Sequence, residues 1–147
     1  MLDSFDNYYG GFEPLHRFLH SQPSLTNVEL TSDFDENDDF PTFGATVLPN
    51  LDRLTTYPNL LQQLIPNRLA KEVFTYGSVD YGDSVNLSFF TLSMAPIQKL
   101  AIHFSYLYST PVTLLASFLP SLTHLRMDIP VACGYGVRVC VSPFLFI

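Results

Sequence analysis

A short phrase recurs along this chain and limits its fold more than any other feature. Pro23-Ser-Leu25-Thr-Asn-Val28-Glu-Leu30, Pro49-Asn-Leu51-Asp-Arg-Leu54-Thr-Thr56 and Pro120-Ser-Leu122-Thr-His-Leu125-Arg-Met127 share the pattern Pro-x-Leu-x-x-Leu-x-Leu. Pro96-Ile97-Gln-Lys-Leu100-Ala-Ile102 fits with its proline one place closer, and Ala70-Lys-Glu-Val73-Phe-Thr75 and Leu2-Asp-Ser-Phe5-Asp-Asn7 are weaker copies. With the first apolar residue as position one, the copies start at 2, 25, 51, 70, 97 and 122, at intervals of 23, 26, 19, 27 and 25. Internal repetition of this length means a stack of similar units, none of which buries its apolar face alone.

Within each copy, positions four and six alternate with polar residues, the period of a half-buried strand, and position one turns into the core ahead of it. The segments between copies read as helices. Pro14-Leu15-His-Arg-Phe18-Leu19, Pro58-Asn-Leu60-Leu61-Gln-Gln-Leu64-Ile65 and Pro111-Val112-Thr-Leu114-Leu115-Ala-Ser-Phe118-Leu119 place apolar residues at i, i+3 and i+4 behind an opening proline. Phe89, Phe90, Leu92 and Met94 are assigned to the same helical layer. A proline then halts each helix (Pro23, Pro66, Pro120), because the residue before proline avoids the helical region. The expectation is an α/β solenoid of irregular leucine-rich-repeat type. About six units would span residues 1–129, with parallel strands on the concave face and helices on the convex face. The consensus asparagine or cysteine of such repeats stands at position nine in Asn59 alone, while Asp33, Ser78, Ser105 and Pro130 occupy the others. An asparagine ladder along the stack is therefore not expected.

Two phrases, Phe18-Leu19-His20-Ser21-Gln22-Pro23-Ser24-Leu25 and Leu119-Pro120-Ser121-Leu122-Thr123-His124-Leu125, resemble the repeat region of fungal F-box-like leucine-rich-repeat proteins. The resemblance covers about residues 2–129 and implies recruitment of a protein target by the repeat surface. The F-box that docks a ubiquitin-ligase adaptor is not visible here, so adaptor docking is not carried over. Residues 130–147 drop the phrase and read as a non-repeat apolar tail, where a polar capping repeat would be expected. The chain accordingly reads as a fragment, and a truncated, uncapped product with no independent function is the competing reading.

Composition narrows the partner class. There are 14 acids and 7 bases, for a net charge of −7, which disfavours nucleic acid because phosphates demand Lys and Arg. Nine of the acids lie in residues 1–40 against Arg17 alone, so the acidity belongs to one end. Cys133 and Cys140 make neither a disulfide framework nor a four-ligand zinc site, and no basic leader precedes Asp3 and Asp6, so an intracellular setting is expected. Residues 100–125 carry no Lys, Arg, Asp or Glu, yet Pro111, Pro120 and two histidines divide the stretch into strand-like and helix-like pieces rather than a membrane span.

No motif for catalysis emerges. Asp33-Phe-Asp35-Glu-Asn37-Asp38-Asp39 opens like a calcium loop but has Asp38 where the turn needs glycine and Gly44 where a bidentate Glu belongs, so a solvated acidic loop is expected. His16 and His20 have the i, i+4 spacing of zinc hydrolases, but Arg17 replaces the general base and favours a surface pair. Gly134-Tyr-Gly136 lacks a third glycine, and nothing activates either cysteine. No enzyme, cofactor or metal is therefore expected, an enzyme of unknown class being the remote alternative.

Positions five and seven should face outward from the sheet. Position five aligns Asp6, Glu29, Thr55, Phe74, Ala101 and Arg126; position seven aligns Tyr8, Thr31, Tyr57, Tyr76, His103 and Asp128. That surface is acidic at its N-terminal end and aromatic in the middle, and aromatic anchors often dominate protein interfaces. Tyr57, Phe74 and Tyr76, with Glu29 and His103 beside them, form the expected partner-binding patch. The plainer reading is that Phe74 and a tyrosine merely pack against each other across adjacent strands.

Overall fold

The computed structural model describes residues 13–31, 42–79, 87–104, 115–129 and 137–141. Its architecture is α/β. Five strands, β1 (Asn27–Glu29), β2 (Arg53–Thr56), β3 (Glu72–Val79), β4 (Lys99–Phe104) and β5 (His124–Ile129), pair in parallel in strict sequence order. β6 (Val137–Val141) adds to β5 in the antiparallel direction. Every repeat phrase among the described residues thus supplies one parallel strand. The phrase at Leu2 and the acidic loop at residues 33–39 lie outside the described residues.

The register follows the phrase. Position four forms one continuous row, Val28, Leu54, Val73, Leu100 and Leu125, each opposite the next. All five are buried, and so are Leu51, Ala70 and Ile97 at position one. Parallel strands in sequence order need crossovers of one hand, which carries all the connections over one face. The observed core agrees: the position-four row packs with Leu60, Leu61 and Leu64 of α2 (Pro58–Leu64), Phe90, and Leu115 and Leu119. α1 (Glu13–Ser21) contributes Leu19 to the same cluster.

The parallel strands are pinned where they begin. The Thr26 carbonyl accepts the N–H groups of both Asp52 and Arg53. Asp52 does the same for Lys71 and Glu72, Lys71 for Gln98 and Lys99, and Gln98 for Thr123 and His124, all at 2.8 to 3.0 Å. Each acceptor is position two of its phrase and each donor pair is positions two and three of the next. This forked carbonyl ladder satisfies strand-entry amides that would otherwise be orphaned.

Residues 137–141 of the expected non-repeat tail form β6, which joins the sheet antiparallel, outside the run of parallel phrase strands. Only residues 130–136 separate β5 from β6, too few for a parallel crossover of a dozen or more, and the strand direction reverses instead. Other expectations need correction. The layer at 89–94 is a 3₁₀ helix (Leu87–Leu92) that buries Phe90 but leaves Leu92 and Met94 exposed. Ile65, ahead of Pro66, keeps helical dihedrals (φ −86°, ψ −43°), so α2 ends because Pro66 has no N–H to donate. α1 opens at Glu13, one residue before its proline. No helix among the described residues is long and apolar enough to cross a membrane, and the uncharged stretch from residue 100 contains β4 and a helical turn at 115–118.

Two buried polar side chains stand out. Arg68 is 1% exposed and donates only to backbone carbonyls: Nε to Val47, Nη1 to Gln63 and Pro66, Nη2 to Gly44 and, at 3.5 Å, Phe43. Burial draws its pKa down from the ordinary value. Thr56 takes position six of β2, is fully buried, and among the described residues its hydroxyl has no hydrogen-bond partner. Thr56→Val keeps the shape and removes an unsatisfied group, so it should raise stability by about 1 kcal/mol. A urea midpoint at or below the parent's would show that the hydroxyl is satisfied after all.

Candidate functional site

With helices on one face only, the opposite face of the parallel sheet is open among the described residues. Odd positions of the phrase point there, in two straight rows. Position three runs Asn27, Arg53, Glu72, Lys99, His124, and position five runs Glu29, Thr55, Phe74, Ala101, Arg126. Charges alternate along the first: Lys99 Nζ meets Glu72 Oε1 at 2.6 Å and Arg53 Nη1 lies 3.8 Å from Glu72 Oε2. Lys71 and Asp52, one place earlier, pair at 2.9 Å. These pairs are half-exposed and each contributes little to stability, but they fix the side chains that border the second row.

The second row floors a shallow concavity of about 370 Å³, lined among others by Glu29, Thr55, Phe74, Tyr76, His103 and Arg126. Phe74 is half-buried beneath Arg53, whose guanidinium carbon stands 4.7 Å from the ring centroid in a cation–π arrangement. Tyr76 tilts against Tyr57 with ring centroids 6.2 Å apart, and its hydroxyl donates to Glu29 Oε1 at 2.5 Å. That bond reaches from β3 to β1 across β2. At the far side, Arg126 Nη2 meets Asp128 Oδ2 at 2.7 Å on the same strand.

Four of the five expected residues line the concavity. Tyr57 does not; it is half-buried against the core and supports Tyr76 from beneath. Phe74 pairs with an arginine rather than with a tyrosine. Tyr8 and Asp6 lie outside the described residues.

One alignment was wrong. His103 stands opposite Ser78, not Tyr76, because the five residues of β3 from Phe74 to Ser78 oppose the three of β4 from Ala101 to His103. The bulge turns at Gly77, whose φ of +72° glycine adopts without strain, and the freed His103 N–H donates to the Thr75 hydroxyl at 3.1 Å. A Cβ on Gly77 would meet the Tyr57 ring at 3.3 Å. Gly77→Ala should therefore destabilise the fold by about 1–2 kcal/mol through backbone strain and ring displacement. An unchanged urea midpoint would remove the bulge as a constraint on the site.

No family model, no curated protein and no solved structure matches this chain. The face must therefore be read from its own chemistry.

Among the described residues this face carries Asp52, Glu72, Glu29 and Asp128 against Arg53, Lys71, Lys99 and Arg126, four acids to four bases. Of these bases only Arg126 stands in a row read from the sequence; Arg53, Lys71 and Lys99 fall at positions two and three, and the strand register shows that they border the same surface. Among the described residues no group of three or more His, Cys, Asp or Glu could hold a metal. His16 and His20 sit with centroids 6.3 Å apart, and His16 packs on Phe43 at 5.5 Å.

The Tyr76–Glu29 bond has a pH signature. The bond to the carboxylate, followed by burial and the Glu29 charge, raises the Tyr76 pKa above 10.0. A raised phenol pKa means the neutral form is favoured when folded. Its contribution is complete below the ordinary tyrosine pKa and is lost as pH climbs through the raised one. Glu29→Gln should bring the Tyr76 titration, followed by NMR of ring-labelled tyrosine, back toward 10. A titration unmoved by this change would show that the bond does not form in solution.

Proposed function

We propose that this chain is an interaction scaffold of leucine-rich-repeat type that binds a protein partner on the open face of its sheet. It would act by binding rather than by catalysis, as the target-recruiting part of an F-box-like ligase subunit does, within the reducing interior that its two isolated cysteines suggest.

One observation carries the reading. Parallel sheets are normally covered on both faces, whereas here the five parallel strands are covered by helices on one face, and the other displays ordered rows of charged and aromatic side chains. Fixed side chains on rigid strands make a surface that can be recognised without first being ordered.

Site-specific photo-crosslinking in cells tests it. A photoreactive residue at Ala101, in the trough, should yield a discrete protein adduct that Phe74→Ala diminishes. The same group at Gln62, exposed on α2, should not yield it. Equal adducts from both faces, or none from Ala101, would refute the open face as the docking surface.

A further inference from the structure

The position-five row has a polarity that the rest of the open face lacks. Among the parallel strands Glu29 on β1 ends it on one side and Arg126 on β5 on the other, with Cys140 of β6 next in register beyond Arg126. Between them stand the uncharged, partly accessible Thr55, Phe74 and Ala101, with the Arg53 guanidinium over the Phe74 ring and 3.8 Å from Glu72. The row thus has an anion at one end and a cation at the other, with the Arg53–Glu72 pair bordering its middle. Four strand spacings of about 4.8 Å separate the ends by about 19 Å along the sheet.

Both end groups keep unused hydrogen-bonding capacity. Glu29 accepts from Tyr76 through Oε1, and Oε2 has no partner among the described residues. Arg126 engages Asp128 through Nη2, and its Nε and Nη1 have none. The Tyr76 and Asp128 contacts hold the two side chains in place without consuming them. Phe74 at the midpoint offers the only ring of the row, and Thr55 and Ala101 beside it are small enough to leave room on either side.

Resting on the docking-face reading above, we infer that the trough holds an extended segment of a partner protein laid across the strands. That segment carries a Lys or Arg at one end, an Asp or Glu six residues away, and apolar side chains at the two alternate positions between. The spacing follows from geometry. An extended chain advances about 3.3 Å per residue, so six residues cover about 20 Å, matching the trough. Residues an even number apart point to the same side, so i, i+2, i+4 and i+6 all face the sheet. The two inner side chains lie on either side of the stacked Phe74–Arg53 pair, over Thr55 and Ala101, and the terminal charges meet Glu29 and Arg126. Because the segment crosses the strands, its backbone pairs with none of them and either chain direction satisfies the charges.

Titration of the full chain with fluorescent peptides tests this. The reference peptide has the core Lys-Ser-Leu-Ser-Leu-Ser-Glu, flanked by Gly-Ser and blocked at both ends. It should bind with a micromolar Kd. Moving the Glu to i+4 or i+8, or replacing it with Lys, should weaken binding about tenfold, the typical effect of losing one well-placed charge contact. Arg126→Glu should reverse the last comparison, so that the Lys…Lys peptide binds about tenfold better than the Lys…Glu peptide; Glu29→Lys should likewise favour a Glu…Glu peptide. Both substitutions are on exposed side chains, and an unchanged circular dichroism melt verifies the fold. Equal affinity across spacings, no reversal in the charge variants, or no binding up to 1 mM peptide overturns the inference. If that occurs while Ala101 still crosslinks a partner, the docking face survives and only the extended-segment geometry fails.

Discussion

Arg68→Met should lower stability by at least about 3 kcal/mol, read as a shift of the urea midpoint at constant slope. The guanidinium gathers five carbonyls: Phe43, Gly44 and Val47 from the segment ahead of β2, and Gln63 and Pro66 from the end of α2. The last carbonyls of a helix have no intrahelical donor, and those of the 43–47 segment are turned inward toward the same point. Methionine fills much of the volume and withdraws the donor from all five, of which, among the described residues, Gly44 alone keeps a second, the Val47 N–H at 3.0 Å. Arg68→Lys restores a charge and three donors but not the planar fork, so it should fall between parent and Met. A Met variant within about 1 kcal/mol of the parent would mean that water reaches these carbonyls and the arginine is dispensable.

Leu54→Ala should cost about 3 kcal/mol, within the range for a fully buried leucine in a close-packed core. Leu54 is 0% exposed and lies in the unbroken row from Val28 to Leu125. The adjacent Thr55→Ala should cost less than about 1 kcal/mol, since it removes only strand propensity and an open-face side chain. The contrast matters more than either value. Comparable losses at 54 and 55 would mean that both faces of the sheet are covered, which would remove the docking surface as well.

Much of this architecture was readable from the phrase because burial on a strand repeats every two residues and the phrase repeats with it. Positions one and four mark the core in every described copy, and their alignment across five strands needed no structural input. Three features escaped. The bulge in β3 was signalled by Gly77 inside an otherwise β-prone run, a known mark of local irregularity, but equal phrase numbering slid past it and misplaced His103. Arg68 gave no signal: an arginine between a helix and the next strand phrase reads as solvent-facing, and its burial depends in part on carbonyls more than 20 residues away. The partnering of Phe74 with Arg53 escaped because the two belong to different phrases at different positions, and only a diagonal contact between neighbouring strands brings them together.

The forked carbonyl ladder bears on how such a chain can vary. Because each of β2 to β5 is fixed at its entry by one acceptor in the preceding phrase, the sheet registers on those entries and not on the length of what lies between. Connections as unequal as those behind the 26- and 19-residue intervals are thereby compatible with a straight row of strands. Insertions and deletions between phrases can accumulate without moving the display surface, whereas a single residue gained or lost between positions two and four would flip one strand and break the row. Among the described connecting elements, α2, the 3₁₀ helix and the turn at 115–118 pack on the covered face, away from the rows of exposed side chains.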